Sequence, residues 1–341
     1  MIKDSNKRGI ILMNLGSPDT TEVKDVRRYL DEFLMDERVI DSPYIWRSIL
    51  VKGIINPFRA PKSAEAYRAI WTKDGSPLVH ITRQLRDALQ EKVAEPVVIA
   101  MRYGNPDIRT AYEQLLHIAP GIEEVVLLPL YPHYAMSSFE TASVEARKVH
   151  ADGKYSFKLS VVRPFYNHPA YIAAMAESMR EYVTGNDKHV LFSYHSIPEK
   201  HIHMRDITES HCLRGECCTT PSATHSYCYR HQCLETTRLV VEALGLPKER
   251  YSIAFQSKLG RAEWLRPATT LRMTQMPAEG IKDLLVVCPS FVSDCLETLE
   301  EIAIREKENF MHAGGNSYEY IPCMNTRPAW VSAVETLLRE L

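Results

Sequence analysis

The sequence has no apolar run that approaches the roughly 20 residues a membrane-spanning helix requires. Its first residues, MIKDSNKRG, contain no apolar stretch of the secretory type and lead directly into a predicted strand. Neither sign of charge is in large excess, because the formal net charge is −2. A general electrostatic attraction to nucleic acid is therefore not expected. Together these absences predict a cytoplasmic protein without a nucleic-acid partner.

A glycine-rich loop of the dinucleotide-binding type is also missing. The first predicted strand ends at GSPDT, residues 16–20, which lacks the GxGxxG spacing. We interpret this segment as a tight turn in which Asp19 or Thr20 starts the following helix. The turn is therefore only a weak candidate for phosphate binding.

The pattern that is present predicts an α/β protein. With 45% apolar and 25% charged residues among 341, the composition is ordinary for a globular protein, and the length allows two domains. Eight β-favouring runs alternate with helical segments, which favours parallel sheets flanked by helices. These strands are predicted at residues 9–15, 97–101, 125–130, 159–162, 190–194, 252–255, 284–287 and 318–321.

The two halves of the sequence resemble each other in the same order. IILMNLGS is similar to HVLFSYHS, VIAMR to SIAFQ, and IEEVVLL to IKDLLVV. This repetition predicts two similar doubly wound domains, each with a four-stranded parallel sheet, and an active site in the cleft between them. The predicted domains are residues 1–165, with helix 326–341 packing back on them, and residues 166–325, with a cysteine-rich insertion at 201–233.

A proline-containing segment, residues 45–69, is predicted to be amphipathic and loosely structured. Its aromatic and basic residues could cover a flat, anionic organic ligand; a surface helical hairpin is the alternative. The residues concerned, in and beside the segment, are Trp46, Phe58, Arg59, Tyr67 and Trp71.

A histidine and three carboxylates follow two of the predicted strands. His195 follows the fifth strand, and ligands of open α/β sheets bind at the carboxyl ends of the strands. Asp294, Glu297 and Glu301 follow the seventh strand, with the spacing of one face of a helix that opens near Asp294. The sequence therefore predicts a site that handles protons and a metal ion. The alternatives are a structural histidine and a helix cap at Ser293 or Asp294.

Residues 211–233 interrupt the alternation of strands and helices. They hold five of the eight cysteines, together with three histidines. In a reducing cytosol this density favours metal or cluster binding over disulfides. Two C-x₄-C pairs suit either zinc or a four-thiolate [2Fe–2S] cluster, and the spacing leaves both open. The candidate ligands are four of Cys212, Cys217, Cys218, Cys228 and Cys233.

Several motifs, in one order along nearly the whole chain, resemble those of the ferrochelatase family. In the first half they are IILMNLGSP (10–18), RYGNP (102–106) and LYPHY (130–134). In the second half they are FSYHSIP (192–198), FQSKLG (255–260), WLRP (264–267) and FVSDCLETLEE (291–301). The resemblance implies an enzyme, a lyase of haem biosynthesis that inserts Fe²⁺ into a porphyrin.

The resemblance also implies roles for the histidine and the carboxylates. His195 matches the family's general base, which would take protons from the pyrrole nitrogens as the metal enters. Glu297 matches the acidic partner across the macrocycle, and both residues would contact the incoming Fe²⁺. Asp294 and Glu301 are similar to the acids of a proton or metal path. At Cys295, where some relatives have histidine, no metal role is assigned.

Further positions resemble those that contact the porphyrin in relatives, namely Leu15, Arg59, Tyr67, Ser76, Arg102 and Tyr103. The branch that metallates coproporphyrin often has tyrosine at the position of Leu15, so leucine there favours protoporphyrin IX. A subset of the family is similar in carrying a [2Fe–2S] cluster, which favours the cluster over zinc. Whether Cys217 or Cys218 is a ligand stays open.

Other functions remain as alternatives to this interpretation. A coproporphyrin ferrochelatase, or a chelatase that loads another metal such as cobalt or nickel into a related tetrapyrrole, would use a similar fold. A porphyrin or haem carrier without catalysis is an alternative from a different class. Peripheral contact of residues 45–71 with the inner membrane is possible, and the sequence does not predict the oligomeric state.

Overall fold

The computed structural model describes residues 7–258 and 262–341. The N-terminal residues 1–6, read above as lacking a signal segment, and the last two residues of the FQSKLG motif lie outside the described residues. The chain divides into two compact units. The first contains the described residues up to Leu130, Met136–Arg163 and Val334–Leu341, and the second contains Tyr131–Ala135 and Pro164–Ala333.

The first unit is built on a parallel sheet of four strands, β1 (Arg8–Ser17), β2 (Val97–Gly104), β3 (Glu124–Pro129) and β4 (Lys158–Val161). Their order in the sheet is β2-β1-β3-β4. Strand β1 lies between two neighbours and is buried along most of its length, which explains its nearly continuous apolar sequence. The four predicted strands of this half are confirmed.

Helices connect these strands: α1 (Val23–Leu34), α2 (Tyr44–Ser48), α3 (Asn56–Ile70), α4 (Pro77–Gln90), α5 (Ile108–Ile118) and α6 (Thr141–Asp152). Two π-helical segments, Ile49–Ile55 and Met136–Glu140, precede α3 and α6. The prediction that residues 45–69 are loosely structured is wrong, since α2, the first π-helical segment and α3 follow one another without a break. Both Pro57 and Pro61 lie within α3, so the helix continues through them although each lacks the N–H of a helical hydrogen bond.

Gly16 near the end of β1 explains the turn that follows. Its φ is +109°, and a Cβ added there would lie 1.8 Å from the carbonyl oxygen of Tyr103 on β2. Only glycine fits this close approach of two strands. The glycine of the GSPDT segment therefore has a structural reason to be there, and α1 begins at Val23.

The second unit repeats the arrangement with β5 (His189–His195), β6 (Tyr251–Gln256), β7 (Asp283–Val287) and β8 (Ser317–Tyr320). These strands are parallel and lie in the order β6-β5-β7-β8, which matches the first sheet strand for strand. The predicted pair of similar doubly wound sheets is thus confirmed. Because the chain changes direction of winding between β5 and β7, the carboxyl ends of these two strands form the position where such sheets bind ligands.

The helices of the second unit are α7 (Pro169–Val183), α8 (Glu199–Met204), α9 (Tyr229–Leu244), α10 (Thr269–Gln275) and α11 (Lys307–His312). The last helix, α12 (Pro328–Arg339), begins in the second unit, and its residues from Val334 onward belong to the first. The helix predicted to open near Asp294 is instead a π-helix from Glu297 to Glu306 that continues into α11. A π-helix bonds residue i to i+5, and such segments are frequent at functional sites. Among the described residues, no helix is both long and apolar enough to cross a membrane.

Candidate active site

His195 is the last residue of β5, and its ring is held in a defined orientation. The Nδ1 atom lies 2.6 Å from the carbonyl oxygen of Ser196. Because a carbonyl oxygen can only accept, Nδ1 carries the proton and donates it. In the neutral ring Nε2 is then the basic nitrogen, so this hydrogen bond fixes the tautomer that a general base needs.

Two side chains tie the backbone of His195 to neighbouring elements. The hydroxyl of Tyr229, in the first turn of α9, donates to the carbonyl oxygen of His195 at 2.8 Å. The His195 amide donates to the Ser290 hydroxyl at 3.2 Å, and Ser290 also lies 2.9 Å from the Tyr229 hydroxyl. Ser290 belongs to the loop after β7, and the ring of Phe291 in that loop lies 6.2 Å from the His195 ring, measured between centroids. The strand ends of β5 and β7 are thus joined at the histidine.

Gln256 at the end of β6 fixes the start of the π-helix. Its Nε2 donates to the carbonyl oxygen of Glu297 at 3.1 Å, and its Oε1 accepts from the hydroxyl of Ser193 on β5 at 2.8 Å. The side chain is buried, so both hydrogen bonds are shielded from water. The end of β6 therefore contacts both β5, the strand that ends at His195, and the backbone of Glu297.

Glu301 is buried, with 7% of its surface exposed. The backbone N–H of Ser257 donates to its Oε1 at 3.0 Å, and the Ser257 hydroxyl donates to its Oε2. Burial raises the pKa of Glu301 to about 7, although the hydrogen bond from the Ser257 hydroxyl opposes the shift. A carboxyl group with this pKa can both take up and release a proton near neutral pH.

Asp294 precedes the π-helix and is also buried, but its oxygens are engaged differently. Oδ1 accepts from the Tyr320 hydroxyl at 2.6 Å and from the Thr298 hydroxyl at 3.0 Å. Oδ2 accepts from Nδ2 of Asn325 at 2.6 Å. The carboxylate thus connects β8, the loop after it and the π-helix. Its role in a proton or metal path stays a prediction.

Cys295, to which the sequence assigned no metal role, is buried two residues before Glu297. Burial raises the pKa of the Cys295 thiol, and a hydrogen bond to the neighbouring Glu297 carboxylate adds to the shift. The thiol therefore stays protonated and acts as a donor to Glu297 rather than as a second negative charge.

In the first unit, four of the predicted porphyrin contacts lie on β1, on α3 and immediately before α4. Leu15 is half-buried on β1, and Arg59 is half-buried on α3. Tyr67 is buried in α3, where its ring packs edge-on against Trp71 at 6.1 Å between centroids. Ser76 is buried immediately before α4.

Arg102 and Tyr103 at the end of β2 are engaged in a buried network. Nη2 of Arg102 pairs with Asp36 at 2.5 Å, and its Nε donates to the Thr141 hydroxyl at 2.8 Å. The Tyr103 hydroxyl donates to Asp36 at 3.0 Å, and the ring of Tyr103 has no exposed surface. Hydrogen bonds and the positive charge of Arg102 outweigh burial and hold the pKa of Asp36 below its usual value. Contact of these two side chains with a porphyrin stays a prediction.

Four of the five cysteines in residues 211–233 lie near one another. The Sγ atoms of Cys217 and Cys218 are 3.9 Å apart, and Cys228 is in hydrogen-bonding contact with both Cys212 and Cys218. Nη1 of Arg230 donates to the Sγ of Cys218 at 3.2 Å.

The fifth cysteine, Cys233, has a different environment. It is fully buried in α9, where its thiol contacts the hydroxyl of Tyr229.

Three histidines surround the backbone of the adjacent cysteines. His211 and His225 both donate from Nε2 to the carbonyl oxygen of Cys217, at 2.7 and 2.9 Å. His231 donates from Nδ1 to the carbonyl oxygen of Cys218 at 2.7 Å, and its ring stacks on His225 with 3.5 Å between centroids. No group of three or more His, Cys, Asp or Glu side chains is arranged to hold a metal ion within residues 7–258 and 262–341.

Sequence reasoning missed the residues that support this site. Tyr229, Ser290 and Tyr320 hold the predicted residues, but none of the three was assigned a role, although Tyr229 lies within the cysteine-rich segment. Gln256 and Ser257 were quoted within the FQSKLG motif, which was a usable signal, but no role was assigned to them.

Comparisons with known proteins match nearly the whole chain to one family. A family model described as Ferrochelatase matches residues 7–341. The protein named Ferrochelatase of Opitutus terrae is 46% identical over 336 residues, which cover 97% of each chain. The protein of that name from Ectopseudomonas mendocina is 45% identical over 331 residues, or 96% of each chain.

Solved structures with the same fold include SirB from Bacillus subtilis with Fe³⁺, at a TM-score of 0.54 and 14% identity over 98% of this chain and 95% of that chain. The sirohydrochlorin chelatase SirB from Bacillus subtilis subspecies spizizenii, in complex with cobalt, also has a TM-score of 0.54. It is 12% identical and covers 98% and 94% of the two chains. At such low identity these structures show the fold alone.

Proposed function

Since the chain belongs to the ferrochelatase family, we propose that it inserts Fe²⁺ into protoporphyrin IX to form protohaem. The observation that supports this best is the orientation of His195, whose Nδ1–H is donated to a carbonyl oxygen so that Nε2 is the basic nitrogen. This histidine stands at the strand end where such sheets bind ligands. A porphyrin must lose two pyrrole protons as the metal enters, and a fixed imidazole can accept them.

The π-helix supplies the acidic side of the proposed reaction. Glu297 faces the porphyrin across from His195 and contacts the incoming Fe²⁺, since carboxylate and imidazole bind ferrous iron and release it again. Glu301 lies one turn further along the π-helix, and its pKa of about 7 suits a group that passes protons onward. Asp294 completes this proposed path as the anchor of the helix start.

Residues of the first unit are proposed to bind the macrocycle and its propionates. Arg59 offers a guanidinium that can pair with a propionate in two parallel hydrogen bonds. Tyr67 and Ser76 would donate their hydroxyls, and Leu15 would pack on the ring. Arg102 and Tyr103 are proposed to support these contacts from the buried layer below, because both side chains bind Asp36.

The choice of porphyrin is tested by competition in one insertion assay. Purified protein receives Fe²⁺ without oxygen and equal amounts of protoporphyrin IX and coproporphyrin III. The expected result is faster formation of protohaem, because Leu15 leaves an apolar surface without a metal ligand. A preference for coproporphyrin would contradict the substrate assignment, and tight porphyrin binding without metallation would indicate a carrier.

We also propose that residues 212–228 hold a [2Fe–2S] cluster through Cys212, Cys217, Cys218 and Cys228. Their mutual proximity and donor chemistry support this set, because such clusters are held by four thiolates. The three histidine N–H groups that bind the carbonyl oxygens of Cys217 and Cys218 hold the backbone of two ligands in place. When bound, the cluster would supply a one-electron redox centre and a cross-link of this segment. Zinc is the alternative occupant.

The cluster proposal predicts different outcomes for two cysteines. Protein purified without oxygen should contain about two irons and two sulfides per chain, and Cys228→Ala should lose both together with the visible absorption. Cys233→Ala is the matched control and should retain them, because the Cys233 thiol contacts Tyr229 instead of the other thiols. Colourless wild-type protein with bound zinc, or cluster loss in Cys233→Ala alone, would contradict the assignment.

Peripheral contact with a membrane is a further proposal, and an exposed apolar patch supports it. The patch lies on α2, the π-helical segment after it and the start of α3, and its members are Tyr44, Ile45, Trp46, Ile49, Ile54 and Phe58. Trp46 and Phe58 expose 69% and 75% of their surfaces. An apolar face of this kind inserts at the boundary between headgroups and acyl chains, where an apolar porphyrin would also reside.

Vesicle binding tests this patch. Wild-type protein should float with phosphatidylcholine–phosphatidylglycerol vesicles in a density gradient, and the double variant Trp46→Ser/Phe58→Ser should lose most of the floating fraction. Leu271→Ser, which changes an exposed leucine elsewhere, is the control that should bind as wild type does. Equal flotation of all three proteins, or of none, would rule out the patch as a membrane contact.

A further inference from the structure

Ser257 follows the last residue of β6 and makes an unusual combination of contacts. Both of its donors, the backbone N–H and the hydroxyl, bind the two carboxylate oxygens of Glu301. Its φ is +67°, in the left-handed region that non-glycine residues seldom adopt. Glycine would adopt this backbone more easily, but it would bring no hydroxyl.

The preceding residue, Gln256, binds the same helix at another point. Its side chain donates to the carbonyl oxygen of Glu297, one π-helical turn before Glu301. Gln256 therefore binds the backbone of the π-helix, and Ser257 binds the side chain of Glu301. The left-handed backbone conformation of Ser257 directs both its N–H and its hydroxyl toward the Glu301 carboxylate.

From this geometry we propose that Ser257 is a positioning residue for the metal-insertion reaction, which sets the orientation and the proton affinity of Glu301. The inference rests on the proposed function, in which Glu301 passes protons away from the porphyrin. A hydrogen bond to the ionised carboxylate favours the ionised form. The Ser257 hydroxyl thus keeps a buried acid available as a proton acceptor near neutral pH.

Other charged groups also face Glu301 and contribute to its proton affinity. On its own helix these are Arg305, which favours the ionised form, and Glu297 and Glu306, which oppose it. Cys288 follows β7 directly. Burial raises the pKa of its thiol, and the negative charges of Asp294 and Glu301 add to this increase. Arg305 is itself bound to Glu300 at 3.0 Å. Among the contacts described for Glu301, the two hydrogen bonds come from Ser257.

Substitution of Ser257 by alanine should shift the pH profile of turnover. With the hydroxyl lost, the pKa of Glu301 rises, so a higher pH is needed to ionise it. The acidic limb of kcat should move upward by about one pH unit, as expected for loss of one hydrogen bond to a charged group. Turnover should fall several-fold at pH 6.5 and approach wild type at pH 8.5, with little change in KM for the porphyrin.

Three further variants separate positioning from a merely structural role. Ser257→Gly relieves the backbone and should have a Tm no lower than wild type, yet it should show the same shift of the acidic limb. Ser252→Ala, at the other end of β6, should leave the profile unchanged. Ser257→Ala should cause no additional shift in a Glu301→Gln background, because the titrating group is then absent.

The outcomes distinguish the inference about Ser257 from the proposed role of Glu301 in the proton path. If Glu301→Gln lowers turnover but Ser257→Ala and Ser257→Gly keep the wild-type profile, the inference about Ser257 is wrong while the role of Glu301 stands. If Glu301→Gln itself turns over normally with a wild-type profile, the proposed proton path is wrong, and the inference fails with it.

Discussion

His195→Ala is expected to lower kcat for iron insertion by about 10²–10⁴-fold, the range that loss of a general base produces. Alanine removes the nitrogen that accepts pyrrole protons but leaves the backbone hydrogen bonds at this position, since Tyr229 and Ser290 bind backbone atoms of residue 195. The KM for porphyrin should change much less than kcat. Turnover is measured by the absorbance of the metalloporphyrin under anaerobic conditions.

Glu297→Gln should give a loss of similar size, because glutamine keeps the shape of the side chain but cannot be a negatively charged ligand for Fe²⁺. The matched control for His195→Ala is His189→Ala, which removes a histidine from the first residue of β5, the strand that ends at His195. That variant should turn over at close to the wild-type rate. If both His195→Ala and Glu297→Gln retained turnover, the proposed roles of these two residues would be wrong.

Asp294→Ala is expected to lower the free energy of unfolding by about 3 kcal/mol or more, because hydrogen bonds to a buried charged group are worth about 1.5–3 kcal/mol each. The truncation would leave the hydroxyls of Tyr320 and Thr298 and the amide of Asn325 without their acceptor. Unfolding in urea, followed by circular dichroism, measures the change.

A matched control for Asp294 is Asp283→Ala. Asp283 accepts one hydrogen bond, from the exposed hydroxyl of Ser317 at 2.5 Å, and its loss should change stability by about 0.5 kcal/mol or less. A stability of Asp294→Ala equal to wild type would show that the carboxylate is not the anchor that its contacts indicate. Turnover of the folded fraction then reports separately on the proton path.

The fold could be predicted from the sequence because its signals are local. Every strand is a short run of β-favouring residues, and the two halves repeat those runs in the same order, so duplication limited the possible topologies. The segment 45–69 was predicted wrongly because Pro57 and Pro61 were read as breaks. Each proline removes one backbone donor, but in the structure α3 runs through both positions.

The site was predictable only in its chemistry. His195 follows a strand and three acids follow another, which is visible in sequence, but their spacing was interpreted on an α-helix. In the structure the π-helix begins at Glu297, which separates Asp294 from the two glutamates. No local signal distinguishes a π-helix from an α-helix, because the choice depends on contacts such as the one between Gln256 and the carbonyl oxygen of Glu297.

By itself the sequence determined two parallel sheets, the family of the protein and the residue types that meet at the strand ends, because periodicity and motif order are properties of the chain. Only the tertiary structure decided which nitrogen of His195 is basic, which carboxylate is an anchor and which has a pKa near 7. Those properties depend on burial and on hydrogen bonds that form only in the folded chain, such as the one from Ser257 to Glu301, 44 positions away. Folding brings such partners together, and because they are far apart in the sequence, local patterns do not predict their contact.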